Sequence, residues 1–186
     1  MMKYFCKVCG MIINENNFNY NKEAFIEKNT MENIIRCPFC GASEEYIINR
    51  SEEFLNKKIE GINKETNKIL DHAMKLEVFN GDFYRQASLL AKDINLKEMF
   101  KALSNIEYMH ARIHKSLIGI EKLPNLRKMD YSKYHSDEIL VQMANKREKH
   151  AVQYYRKYYN NLCNDKIREI FDVLSLVEKE HIELTK

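Results

Sequence analysis

Laid over itself at an offset of 71 residues, the chain matches without a gap: residues 69–115 fall on residues 140–186, and 12 of the 47 pairs are identical. Random pairing at ordinary residue usage gives about three. The identities include Ala73/Ala144, Glu77/Glu148, Tyr84/Tyr155, Arg85/Arg156, Glu98/Glu169, Phe100/Phe171, Leu103/Leu174, Ser104/Ser175, Glu107/Glu178 and His110/His181. Such a chain must build one unit twice and pack the copies together. Only 5 Gly and 2 Pro interrupt 186 residues rich in Lys, Glu, Leu and Ile, so the unit is helical and the fold class mainly α.

Each copy reads as two helices. The first runs from about Thr66 to Lys92 and turns at Asp93-Ile94-Asn95; the second opens with Asn95 as its cap and Glu98 three residues on. Leu96, Met99, Phe100, Leu103 and Ile106 then recur at the helical period. In the second copy Ser136, with Asp137 and Glu138, opens a helix to about Cys163, and Asn164-Asp165 breaks it. Ile167, Ile170, Phe171, Leu174 and Val177 restore the stripe. Two hairpins make a four-helix bundle over residues 66–186, and the connector Leu123–His135, with Pro124, is long enough to cross it.

The repeat carries chemistry. Glu107 and His110, and again Glu178 and His181, are spaced i, i+3, so each pair leaves one helix in nearly the same direction. Glu77 and Glu148 supply a lone carboxylate from the first helix of each hairpin. One Glu from each of two helices and Glu-x-x-His from each of the other two is the inward-facing set that binds paired iron or manganese in a bundle. A single Glu-x-x-His is commonly a solvated face; two in register with both partner Glu are not. Tyr84 and Tyr155, seven residues after the lone Glu, can hydrogen-bond a ligand carboxylate, with core packing as the alternative. His114 follows His110 by four residues, but its repeat mate is Thr185, so it reads as surface. His72, His135 and His150 lack matching partners, and Cys163 reads as an inert thiol at a helix end.

The other four cysteines crowd the first 40 residues as Cys6-Lys-Val-Cys9-Gly and Cys37-Pro-Phe-Cys40-Gly. Two such pairs form a four-thiolate cage suited to Zn(II) or a single iron, the Gly after each pair freeing backbone to turn. Disulfides are disfavoured in a chain without a secretory signal. Residues 1–47 form this module, and residues 48–65 a linker or helical extension within a Lys/Glu-rich stretch. Residues 3–47 resemble rubredoxin: Tyr4 precedes the first knuckle, and Gly41-Ala42 and Tyr46 follow the second. Phe5, Phe18, Tyr20, Phe25 and Phe39 are expected to pack beneath the metal. The segment between the knuckles is Asn-rich and the module has no Trp, a departure that leaves iron against zinc open.

The joined units resemble the rubrerythrins, in the order found in the reverse-ordered members. The resemblance implies a ferritin-like bundle with a non-haem di-iron site that reduces hydrogen peroxide to water. It implies a rubredoxin-like iron that relays electrons from an NAD(P)H-linked reductase. The di-iron ligands would be Glu77, Glu107, His110, Glu148, Glu178 and His181, and the mononuclear ligands Cys6, Cys9, Cys37 and Cys40. Rubrerythrins commonly carry a further ligand Glu one turn after the lone Glu of the third helix; here that position is Ala151, and its counterpart is Asn80. A site limited to six ligands is expected to stay nearly symmetric on oxidation, with a narrowed preference for peroxide over dioxygen. The alternatives are a ferroxidase or oxidase, and a non-catalytic protein with zinc in the cage. A homodimer is expected, one chain's module lying near the other chain's di-iron site. A net charge of +3 argues against nucleic acid. The absence of a bilayer-length apolar run argues against membrane insertion, and a cytoplasmic location is expected.

Overall fold

The computed structural model describes residues 3–49 and 54–186, so residues 50–53 of the expected linker lie outside the described residues. The four long helices are α1 (Lys64–Leu90), α2 (Ile94–Ile118), α3 (Asp137–Tyr158) and α4 (Asp165–Leu184). A three-stranded antiparallel sheet precedes them, built from β1 (Lys3–Cys6), β2 (Ile12–Asn14) and β3 (Ile47–Ile48) in the order β2-β1-β3. Residues 54–63 form no helix before Asn63, whose side chain caps α1 through the Thr66 amide. Within this stretch Leu55 is buried and its amide bonds the Lys7 carbonyl at 2.8 Å, while Lys57, Lys58 and Glu60 are exposed. No described helix is long and apolar enough to cross a membrane.

Helix starts follow from side chains that satisfy otherwise orphaned amides. Asp93, rather than Asn95, caps α2, because its carboxylate reaches the amides of both Asn95 and Leu96. Asp137, in the first turn of α3, in turn accepts from the Lys92 and Asp93 amides at 2.8 and 2.9 Å. This contact puts the start of α3 at the same end of the bundle as the start of α2, so the connector between them traverses the bundle. Buried Tyr131 and Tyr134 on that connector pack on Phe83 of α1. Helix α3 ends at Tyr158, a turn short of Cys163, and a 3-10 turn leads to the Asn164 cap of α4.

The cysteine module is pressed against its own bundle. Arg36 pairs with Glu180 of α4, and Asn105 of α2 donates to the Asn21 side chain at 2.8 Å. Gly41 has φ +79°, and a Cβ there would meet Val177 Cγ1 at 2.6 Å, so glycine is required by backbone and neighbour alike. The module's aromatic residues divide differently from expectation. Phe25 packs with Val177 in the bundle cluster beside Gly41, Tyr20 is half exposed, Phe18 and Phe39 pack against the cluster that holds the cysteines, and Val8, Ile13, Ala42 and Leu55 fill the space beneath them. Gly41→Ala is expected to cost roughly 1–2 kcal/mol from the left-handed backbone alone, with more from Val177; chemical denaturation and proteolytic release of the module check it.

Candidate metal centres

Helical register turns the repeated residues inward. Glu77, Glu107, His110, Glu148, Glu178 and His181 are all fully buried. They converge as two overlapping groups: Glu77, Glu107, His110 and Glu178 in one, Glu107, Glu148, Glu178 and His181 in the other. Glu107 and Glu178 belong to both, the placement of two bridging carboxylates between two metal positions. His110 Nδ1 lies 2.8 Å from Glu178 Oε1, and His181 Nδ1 lies 3.1 Å from Glu178 Oε2 and 3.6 Å from Glu107 Oε1.

The polar atoms facing this centre lack protein partners. Both oxygens of Glu107 and one oxygen each of Glu77 and Glu148 are buried without a hydrogen bond, and His110 Nδ1 and Glu178 Oε1 have only each other. Burial of that many unpaired acceptors is costly unless a cation satisfies them. Two divalent ions would offset four carboxylates, and the oxygen and nitrogen donors suit iron or manganese. Three of the four carboxyls are pushed towards their protonated form. Burial and the Glu178 charge push Glu77 up to about 7, and burial with neighbouring carboxylates pushes Glu107 and Glu148 well above their ordinary range. Burial pushes Glu178 up too, but the charge and hydrogen bond of His110 outweigh it and hold the carboxyl below its ordinary value.

Both tyrosines reach across the bundle. The Tyr84 hydroxyl of α1 donates to Glu148 of α3, and the Tyr155 hydroxyl of α3 donates to Glu77 of α1. Each therefore holds the carboxylate of the opposite hairpin, not of its own. His114, expected at the surface, is fully buried with Nε2 2.8 Å from the Tyr155 hydroxyl. Burial and the nearby His110 lower it to about 3, so it is neutral. Arg147 was not singled out by sequence pattern. Its guanidinium stacks over Phe79 and Phe83 and donates to Asn80 Oδ1 at 3.4 Å. His72 stacks on Tyr154, and Cys163 is exposed with its amide bonded to Thr66 Oγ1.

Cys6, Cys9, Cys37 and Cys40 converge in a second buried group, with 3.6 Å between Sγ of Cys6 and Cys40 and again between Sγ of Cys9 and Cys37. The knuckles are built alike: Gly10 and Gly41 have φ near +80°, and their amides close back onto the Cys6 and Cys37 carbonyls. Burial drives Cys9 and Cys40 well above their ordinary thiol value, whereas hydrogen bonds from neighbouring thiols overcome burial at Cys6 and lower it. The cage cannot hold four thiolates without a cation, and it fits zinc or iron. The two centres meet at one hydrogen bond. His110 Nε2 lies 2.9 Å from the Cys40 carbonyl oxygen. Within a single chain the module covers its own bundle centre.

A family model described as Rubrerythrin matches residues 68–186. No curated protein and no solved structure matches the chain.

The raised carboxyl values set a pH dependence with a definite sign. Glu77 binds its proton more tightly folded than unfolded, so its contribution to metal-free stability is complete below about 4.5 and is lost as pH rises through about 7. Metal uptake displaces that proton, so affinity for Fe(II) should rise over the same interval. Melting of stripped protein at pH 5 and pH 8, with and without Fe(II), should show the stripped form weakening towards pH 8 and the loaded form gaining most there. A pH-independent gain on loading would contradict buried protonated carboxylates.

Proposed function

The chain belongs to the rubrerythrin family, and from that membership we propose that it is a peroxidase that reduces hydrogen peroxide to water. The dinuclear iron site lies in the bundle, and electrons are relayed by a rubredoxin-like iron in the cysteine cage. The observation that carries the relay is the 2.9 Å contact between His110 Nε2 and the carbonyl of Cys40. One bonded path runs from Cys40 Sγ through its own backbone to the imidazole of a bundle ligand, with no second chain and no solvent between. A ferritin-type iron store has no use for such a path.

Reduced iron held by Glu77, Glu107, His110, Glu148, Glu178 and His181 would supply the two electrons that, with two protons, convert one hydrogen peroxide into two waters. The chain's part is to hold and insulate. Glu107 and Glu178 offer oxygens to both metal positions, while Glu77 with His110 and Glu148 with His181 close the two ends. Carboxylates suit a centre whose charge changes, because they move between bridging and terminal binding. Tyr84 and Tyr155 fix the outward oxygens of Glu148 and Glu77. Buried Phe83, Phe100 and Phe171 pack against these tyrosines and exclude bulk water. The partners of this activity are hydrogen peroxide as substrate, an NAD(P)H-linked reductase as donor and a second copy of the chain in a homodimer, the last tested by light scattering.

Anaerobically purified protein is expected to hold about three irons per chain, from one mononuclear and one dinuclear site, and to be red. A colourless protein with zinc in the cage would favour a non-catalytic metal protein instead. Cys9→Ser should abolish turnover driven by the reductase yet leave chemically reduced bundle iron reactive towards peroxide; equal loss in both assays would make the cysteine site structural. Glu107→Ala or His181→Ala should deplete bundle metal and spare the red centre.

Ala151 bears on selectivity. Without a fifth carboxylate as seventh ligand, His110 and His181 should stay ligands in both redox states, and reduced protein mixed with peroxide and with air-saturated buffer should show rates closer than a strict peroxidase allows. A peroxide reaction faster by several orders of magnitude would place selectivity elsewhere in the site.

A further inference from the structure

The six candidate ligands obey the repeat, but the hydrogen bonds behind them do not. At the Glu77/His110 position both end ligands are braced from outside. His110 is held by the Cys40 carbonyl at 2.9 Å, and Glu77 by Tyr155, which is itself held by His114 at 2.8 Å. At the Glu148/His181 position Glu148 has Tyr84, but among the described residues no second hydrogen bond holds that hydroxyl, and His181 Nε2 is buried without a partner.

His114 is what makes the tyrosines differ. A phenol has one proton, and Tyr155 gives it to Glu77, so the proton in the His114–Tyr155 bond belongs to His114 Nε2. The phenol can then turn neither toward His114 as donor nor away from Glu77 without breaking a buried bond. The Phe171 ring stands edge-on to the imidazole at 5.6 Å, and His114 is fully buried, which leaves the imidazole little freedom. In the other half the corresponding residue is Thr185, whose hydroxyl donates instead to the His181 backbone carbonyl at 2.7 Å. Only Phe83 and Phe100 rings flank Tyr84.

We propose that the two metal positions are unequal: the one at Glu77/His110 is tight, the one at Glu148/His181 is labile and exchanges first, and the difference is set by the Cys40 carbonyl behind His110 together with His114, a positioning residue that acts through Tyr155. The inference rests on the dinuclear nature of the bundle site. Outer partners of metal ligands are each worth roughly 10–100-fold in affinity, so the positions should differ by about tenfold or more.

The test is a challenge of the anaerobically reduced, fully loaded protein with a colorimetric ferrous chelator, the red centre being followed separately. Bundle iron should leave in two phases of equal amplitude, with rates separated by about tenfold or more. Crystals of half-stripped protein should show anomalous scattering from iron between Glu77 and His110. His114→Phe should speed the slow phase about tenfold while leaving the fast phase within about twofold, and His114→Gln, which keeps a donor, should restore the slow phase. A single phase, iron retained between Glu148 and His181, or acceleration of the fast phase by His114→Phe would each overturn the proposal. The wild-type phases and the crystal location stand even if His114→Phe fails to fold. Protein that binds no bundle iron at all would refute the dinuclear site itself, an outcome distinct from a single phase of two irons.

Discussion

Four carboxylates with no exposed surface, matched by only two imidazoles, are the constraint around which this chain is built. Each buried charge costs several kcal/mol unless it is paired or neutralised, and no Lys or Arg side chain pairs with any of the four among the described residues. The remaining means of compensation are protons, hydrogen bonds and metal ions. Burial and the neighbouring carboxylates raise Glu77, Glu107 and Glu148, which favours protons there. Hydrogen bonds come from Tyr84 and Tyr155, each from the opposite hairpin, so satisfying the site also ties the two halves of the bundle together. The carboxylates therefore decide how the hairpins face each other, and the apolar layers of Phe100 and Phe171 fill in around that geometry.

The same imbalance appears in the cysteine module, where four buried thiols face one another. Its docking brings two such centres onto one hydrogen bond. Gly41 lets the second knuckle lie flat on Val177, and the Arg36–Glu180 pair fixes its rotation. The Cys40 carbonyl then falls on His110, which needs an acceptor for its outer nitrogen once Nδ1 faces the carboxylates. Module docking and ligand orientation are thus one arrangement.

The ligands were legible in the sequence because duplication preserved them: chemistry that needs Glu and His at fixed spacing leaves a mark when it occurs twice. The helices were legible from period, to within a turn at each end. Side chains whose roles come from tertiary contact left no such mark. Asn95 has a capping residue's neighbours, but Asp93 wins because Asp137, 44 residues away, fixes the amide of Asp93 itself. His114 lacks a repeat mate and so reads as surface, when its burial depends on Tyr155 and Phe171 from two other helices. Phe25 belongs by sequence to the cysteine module and by packing to the bundle. The Cys40 carbonyl is backbone, and no pattern of side chains announces it.

A duplicated hairpin gives a symmetric set of ligands only as far as both copies meet the same surroundings, and a module present once ensures that they do not. The positions one turn beyond the lone Glu show this. Asn80 is nearly fully buried and takes the guanidinium of Arg147, the one buried arginine or lysine side chain among the described residues. Its counterpart Ala151 lies in the apolar cluster with Tyr154, Tyr155 and the cysteine module. A carboxylate at position 151 would be a fifth buried negative charge, placed in an apolar layer. A carboxylate at position 80 would meet that cation directly and tie it into an ion pair. Neither position carries a carboxylate, so the buried set remains two Glu-x-x-His pairs with two lone Glu, and its two halves differ in the hydrogen bonds behind them.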